Sequence, residues 1–151
     1  MADRDPTRRG TLALGAAAAS LFVIRPARAD GAKRDAAIRA FTGGATAQSG
    51  RVTLDLPPLV ENGNAAPVTV TVDSPMTAAD HVRRIALVNE RNPEAEILTA
   101  RLGPRSGRAT LSTRIRLADT QRITALAEMS DGTYWQASAD VIVTLAACVE
   151  G

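Results

Sequence analysis

The sequence predicts an all-β fold, a sandwich of two antiparallel sheets with one short helix at its N-terminal end. Beyond residue 50, apolar residues recur at every second position in short runs. Clusters of Gly, Pro, Asn and Asp separate these runs at intervals of about 8–15 residues, the pattern of hairpin-connected strands. Such alternation argues against a parallel sheet, whose strands are buried on both faces and read as unbroken apolar runs. A chain of 151 residues, 45% hydrophobic and 23% charged, suits one ordinary globular domain.

The elements follow in order. Ala32–Phe41 is expected to be helical, with Ala37, Ile38 and Phe41 on one face, and Gly43-Gly44 ends it. Val52, Leu54 and Leu56 alternate with Arg51, Thr53 and Asp55 until Pro57-Pro58 stops the strand; Asn62-Gly63-Asn64 marks a turn. Val68, Val70 and Val72 alternate with Thr69, Thr71 and Asp73 up to Ser74-Pro75. A strand over Val82–Asn89 breaks at Arg91-Asn92-Pro93, and Glu94–Leu102 runs into Gly103-Pro104. The cleanest alternation places Ala109, Leu111, Thr113, Ile115 and Leu117 inward, with Arg108, Thr110, Ser112, Arg114 and Arg116 outward. Ile123–Met129 follows, then a turn at Asp131-Gly132, then Thr133–Ala137 and finally Val141–Leu145. About eight short strands of this kind predict an immunoglobulin-like sandwich, large enough to bury a core without disulfides.

Residues 1–29 read as an export signal. Thr7-Arg8-Arg9 opens it, a mildly apolar run spans Thr11 to Ile24, and Ala27-Arg28-Ala29 offers the small residues a signal peptidase accommodates. The pair Arg8 and Arg9 points to the twin-arginine route, which carries folded proteins, although Thr11 and Leu12 stand where a bulky pair is usual. The apolar run is too short and too rich in Ala and Gly to span a bilayer as a stable helix. The expected location is therefore the periplasm, with no membrane association once the signal is removed. Folded export without any cofactor motif also points to a partner subunit, and no cofactor is expected.

Five of the 18 basic and two of the 16 acidic side chains lie in the first 29 residues. The remainder carries 13 basic and 14 acidic groups, a net charge of −1, so no basic footprint suggests nucleic-acid binding. One histidine, His81, and one cysteine, Cys148, exclude an internal disulfide and a zinc site with three or four Cys/His ligands. His81 has no second His or Cys to work with, and nothing singles out a hydrolase triad around it. Tyr134-Trp135 is expected in the core or facing a partner. The row Arg108, Arg114 and Arg116 has the chemistry to attract oxyanions or an acidic partner, and it also suits a solvated strand face that discourages edge pairing.

Cys148 is the sharpest feature. Free cysteines are usually buried, but this one lies three residues beyond Leu145, on a terminal arm formed by residues 146–151. At about 3.3 Å per residue, that arm would set the thiol roughly 10 Å off the end of the sandwich. No Lys, Arg or His occurs in the last 25 residues, while Glu150 and the terminal carboxylate disfavour a thiolate. Any activating positive charge must come from elsewhere in the fold or from a partner.

Several segments taken together resemble the SoxY family, the sulfur-carrier subunits of the periplasmic thiosulfate-oxidising system. They are Phe41-Thr42-Gly43-Gly44, Leu54-Asp55-Leu56-Pro57, Glu61-Asn62-Gly63-Asn64, Val68–Val72 leading into Asp73-Ser74-Pro75-Met76, Ser112–Ala118 and Ala127–Gly132. The resemblance runs from about Phe41 to Cys148. It implies an immunoglobulin-like sandwich, a heterodimer with a SoxZ-like subunit, and sulfur carried on Cys148. It also implies that the carrier is not itself an enzyme. A haem-containing loading enzyme, a sulfate-releasing hydrolase and a sulfane dehydrogenase would act on its cargo.

The arm departs from the family pattern Gly-Gly-Cys-Gly-Gly, reading Ala146-Ala147-Cys148-Val149-Glu150-Gly151. Ala146 and Ala147 stiffen the approach, Val149 is bulky and β-branched, and Glu150 adds negative charge where the cargo is negative. Two other readings therefore stand beside the carrier: a partner-binding assembly module whose cysteine no longer carries sulfur, and a thiol enzyme.

Overall fold

The computed structural model describes residues 29–148. The expected signal with Arg8 and Arg9, and the arm residues Val149, Glu150 and Gly151, lie outside the described residues.

One helix and nine strands form two packed sheets: α1 (Ala29–Thr42), β1 (Ala47–Gln48), β2 (Val52–Asp55), β3 (Leu59–Asn62), β4 (Ala66–Val72), β5 (Val82–Asn89), β6 (Glu96–Arg101), β7 (Thr110–Ile115), β8 (Gln121–Met129) and β9 (Tyr134–Leu145). The larger sheet has the order β1-β9-β8-β5-β6, with β3 also on β9; the smaller has the order β2-β4-β7. The expected sandwich with a short N-terminal helix is thus the observed fold.

The β7 alternation holds residue by residue. Ala109, Ile115 and Leu117 are buried, Leu111 and Thr113 half-buried, and every outward residue from Arg108 to Arg116 is exposed. Across the sandwich, Val68, Val70 and Val72 from β4 meet Ile85 and Leu87 from β5, Ile123, Ala125 and Met129 from β8, and Val141 from β9 in one core. Gly43 and Gly44 stop α1 at positive φ (63° and 88°), and the Gly44 N–H returns to the Arg39 carbonyl at 3.1 Å. The helix then lies across the outer face of the larger sheet, where Phe41 packs with Ala86, Val88 and Leu126. Arg84 fixes that contact: its guanidinium lies 4.5 Å from the Phe41 ring centroid, donates to the Phe41 carbonyl and pairs with Glu128.

Three features differ from the sequence expectation. The expected strands Thr133–Ala137 and Val141–Leu145 merge into a single twelve-residue strand, β9, that starts at Tyr134, because Ser138-Ala139-Asp140 pairs with β8 without an apolar pattern of its own. Two short strands, β1 and β3, occupy stretches that carry no alternation. Both pair with the outer edge of β9 in parallel, Ala47 opposite Tyr134 and Leu59 opposite Ile142, so the sandwich is antiparallel except along this edge.

Candidate functional site

The site is built at the end of the sandwich where β9 finishes. Leu145 pairs with Asn62 of β3, and the Asn62 side chain accepts from the Asn64 backbone N–H at 3.0 Å, capping the tight turn Gly63–Ala65. The chain after β9 then passes over Gly63. Ala147 donates its N–H to the Leu117 carbonyl at 2.9 Å, and the residue is only 6% exposed. The next residue, Cys148, is exposed and its thiol is free. The tie at Ala147 means that the thiol leaves the fold two residues later than the end of β9 suggests.

Cys148 lines an open groove of about 820 Å³ between β6 and β7, the last strand of each sheet. Glu94, Glu96 and Ile97 lie on one wall and Arg114, Ile115 and Arg116 on the other. Two residues of the predicted arginine row therefore share a groove with Cys148, whereas Arg108 lies along a separate depression with Arg51 and Asp73. Arg114 and Arg116 have no ion pair among the described residues. They present positive charge to an anion near the thiol, opposed by the two glutamates across the groove.

Three amides missed by the sequence reading hold the groove loop. Asn89, fully buried at the end of β5, donates to the carbonyls of Glu94 (2.7 Å) and Ala95 (3.0 Å) and accepts from the Asn92 N–H (2.8 Å). Asn92 donates to the Arg116 carbonyl at 2.8 Å and accepts from the Ala118 N–H and Gln121 Nε2, each at 2.9 Å. Gln121 accepts from the N–H groups of Glu90 and Arg91. The two sheets are thereby joined through amides beside Cys148. The only signal for this was an Asn ending an apolar strand just before Arg91-Asn92-Pro93.

Other candidates lie elsewhere. His81 is half-buried, its Nδ1 lies 3.0 Å from the Thr77 carbonyl, and its backbone N–H bonds the Ser130 hydroxyl. Among the described residues no group of three or more His, Cys, Asp or Glu converges on a metal position. Tyr134 packs edge-on against Phe41, with ring centroids 6.1 Å apart, and Trp135 lies under Arg51. The shifted carboxylates are also elsewhere. Asp131 is held below the ordinary range by hydrogen bonds from the Thr133 N–H and hydroxyl, and Asp140 by its hydrogen bond and charge pairing with Arg122.

The family model described as "Sulfur oxidation protein SoxY" matches residues 38–148. The chain belongs to the SoxY family. The match ends on Cys148 and takes in the groove, the turn at Gly63 and both sheets. The sulfur carrier protein SoxY from Chlorobium limicola f. thiosulfatophilum superposes with a TM-score of 0.64 at 25% identity, covering 76% of this chain and 95% of its own. A superoxide reductase (neelaredoxin) from Ignicoccus hospitalis gives a TM-score of 0.55 at 19% identity, over 62% of this chain and 80% of its own. A superoxide reductase from Nanoarchaeum equitans gives 0.54 at 10% identity, over 64% and 100%. These last two show a shared fold alone. No curated protein matches the chain. Membership in the SoxY family and the likeness to a SoxY carrier together support a sulfur-carrier role.

Proposed function

We propose that this SoxY-family protein carries thiosulfate-derived sulfur covalently on Cys148 in the periplasm, after export by the twin-arginine route. The carrying observation is the position of Cys148, the one cysteine of the chain. It is exposed at the rim of a groove, at the last residue of the family match. Loading joins the cysteine sulfur to the outer sulfur of thiosulfate as Cys–S–S–SO₃⁻, releasing one proton and two electrons to a haem-containing partner. Water then releases sulfate and two protons, leaving Cys–S–S⁻, whose sulfane sulfur a dehydrogenase oxidises. The carrier supplies the thiol and its placement, and the partner enzymes supply the chemistry. A SoxZ-like subunit is the proposed dimer partner. The exposed apolar side chains Leu59 and Ile142, paired across β3 and β9, and Leu145 at the end of β9 are consistent with such an interface.

The test is intact mass of protein from the periplasm, with and without reductant. A reductant-labile sulfur adduct on the last tryptic peptide is expected, and Cys148→Ser abolishes both the adduct and thiosulfate-dependent oxidation by the reconstituted system. One observation favours a second reading, an assembly module: alanines stand where the family has glycines, and Ala147 is packed into the fold. On that reading the mass is unmodified even after incubation with thiosulfate and the loading enzyme, and Cys148→Ser changes nothing.

A further inference from the structure

Three backbone segments meet where the arm leaves the sandwich. Leu117, just past β7, donates its N–H to the Gly63 carbonyl at 2.8 Å and accepts at its own carbonyl from Ala147 at 2.9 Å. A Cβ on Gly63 would stand no more than 3.0 Å from three backbone atoms at once, the Leu117 oxygen, the Ala147 nitrogen and the Leu145 oxygen. Gly63 is not among the residues with positive φ. The position therefore requires glycine for space and not for backbone conformation, because any side chain would push the crossing segment away. Ala147 completes the arrangement by burying its methyl group.

We infer that Gly63 and Ala147 are positioning residues for the Cys148 thiol, forming a clasp that seats the root of the arm on the fold. This inference rests on the carrier reading for its purpose but not for its test. With the clasp closed, the thiol pivots from Ala147, one residue away, instead of from Leu145, three residues away. Its reach is then roughly 3–4 Å instead of about 10 Å. With the clasp open, one backbone hydrogen bond and one methyl contact are lost and the longer reach is restored. A glycine at position 147 would have no methyl to seat and more backbone freedom to lose, so it favours the open form. The alanine found here biases the arm toward the closed form and selects partners that bind it there or pull it free.

Because the chain has a single cysteine, a nitroxide spin label reports on Cys148 without any other substitution. The full chain is used, with no cargo and no partner enzyme, so the outcome is independent of whether sulfur is carried. In the unsubstituted protein, a restricted component is expected in the label spectrum. The Ala147 amide is expected to exchange at least about tenfold more slowly than in an unstructured chain. Ala147→Gly is expected to convert the spectrum toward fast motion and speed that exchange severalfold, with the melting temperature of the sandwich nearly unchanged. Gly63→Ala should release the label in the same way if it folds. A fast, isotropic label together with unprotected exchange at Ala147 in the unsubstituted protein would overturn the clasp, whatever the variants do.

Discussion

Helix α1 lies across the outer face of the larger sheet, whereas no described element covers the outer face of the smaller sheet, and the two sheets accordingly use different residues. In β5 the five residues from Ile85 to Asn89 are all buried, because alternate side chains enter the core or lie beneath Phe41. In β4 and β7 the outward positions are Pro67, Thr69, Thr71, Thr110, Ser112 and Arg114, with the Thr69 and Ser112 hydroxyls 2.9 Å apart across the strands. A strand covered on both faces reads as a continuous apolar run, and one covered on a single face reads as alternation. An antiparallel sheet can therefore contain both patterns when a helix lies over one part of it.

The sharpest way to break this comparison is to make equivalent truncations on the two outer faces. Leu126→Ala removes a fully buried side chain beneath α1 and is expected to cost about 3 kcal/mol in urea unfolding. Thr71→Ala, exposed on the outer face of the smaller sheet, should change stability by no more than about 0.5 kcal/mol. Comparable losses at the two positions would mean that the helix does not seal its sheet.

The next effect concerns the place where the sheets are joined. Asn89→Ala leaves the Glu94 carbonyl and the Asn92 N–H without their partner, while the Ala95 carbonyl keeps the backbone N–H of residue 89, an expected cost of about 2 kcal/mol. It should also make the segment 90–95 a new site of proteolytic nicking. An unchanged digestion pattern would show that the remaining Asn92 and Gln121 bonds suffice to hold the groove wall.

The smallest effect lies in the β8–β9 turn. The Asp131 carboxylate accepts from the Thr133 N–H at 2.9 Å and from its hydroxyl at 2.7 Å, which lowers its pKa from the ordinary value of about 3.9. The unfolded chain thus takes up this proton first as pH falls. The stabilisation is complete above the ordinary value and is lost as pH drops through the lower, folded one. Asp131→Asn is expected to flatten the fall in melting temperature below about pH 4, with Asp140 responsible for part of the remaining slope. An unaltered slope would remove Asp131 from the acid response.

The legibility of the sequence follows from the same contrast. β4 and β7 were plain because water covers one side of each. α1 was plain because Phe41 follows Ala37 and Ile38 at helical spacing and two glycines stop it. β3 could not be read, since the three residues between Pro57-Pro58 and Asn62-Gly63 are too few to establish a period, and its pairing is set by β9. The unity of β9 was hidden because its middle turns only Ala137 and Ala139 toward the core, beside Ser138 and Asp140. At the site, Cys148 and the arginine row were visible as residue types. The meeting of Cys148 with Arg114 and Arg116 in one groove depends on Asn89, Asn92 and Gln121, and no local pattern announces a network spanning two sheets. The seat of Ala147 was hidden for a similar reason, since Gly63 reads as a turn residue until the chain 84 positions later crosses it.

The placement of β9 also sets a schedule for folding. It is the last of the described strands, yet it pairs with β1, β3 and β8, so the earliest strands of the larger sheet wait for the latest one. Such pairing across most of the sequence is slow, because a long loop must close before any contact rewards it. A nascent chain emerging only as far as residue 133 would hold β1 and β3 with nothing to pair against. Assembly of this sheet therefore waits for residues 134–145, and any route that exports the protein folded must wait for that strand.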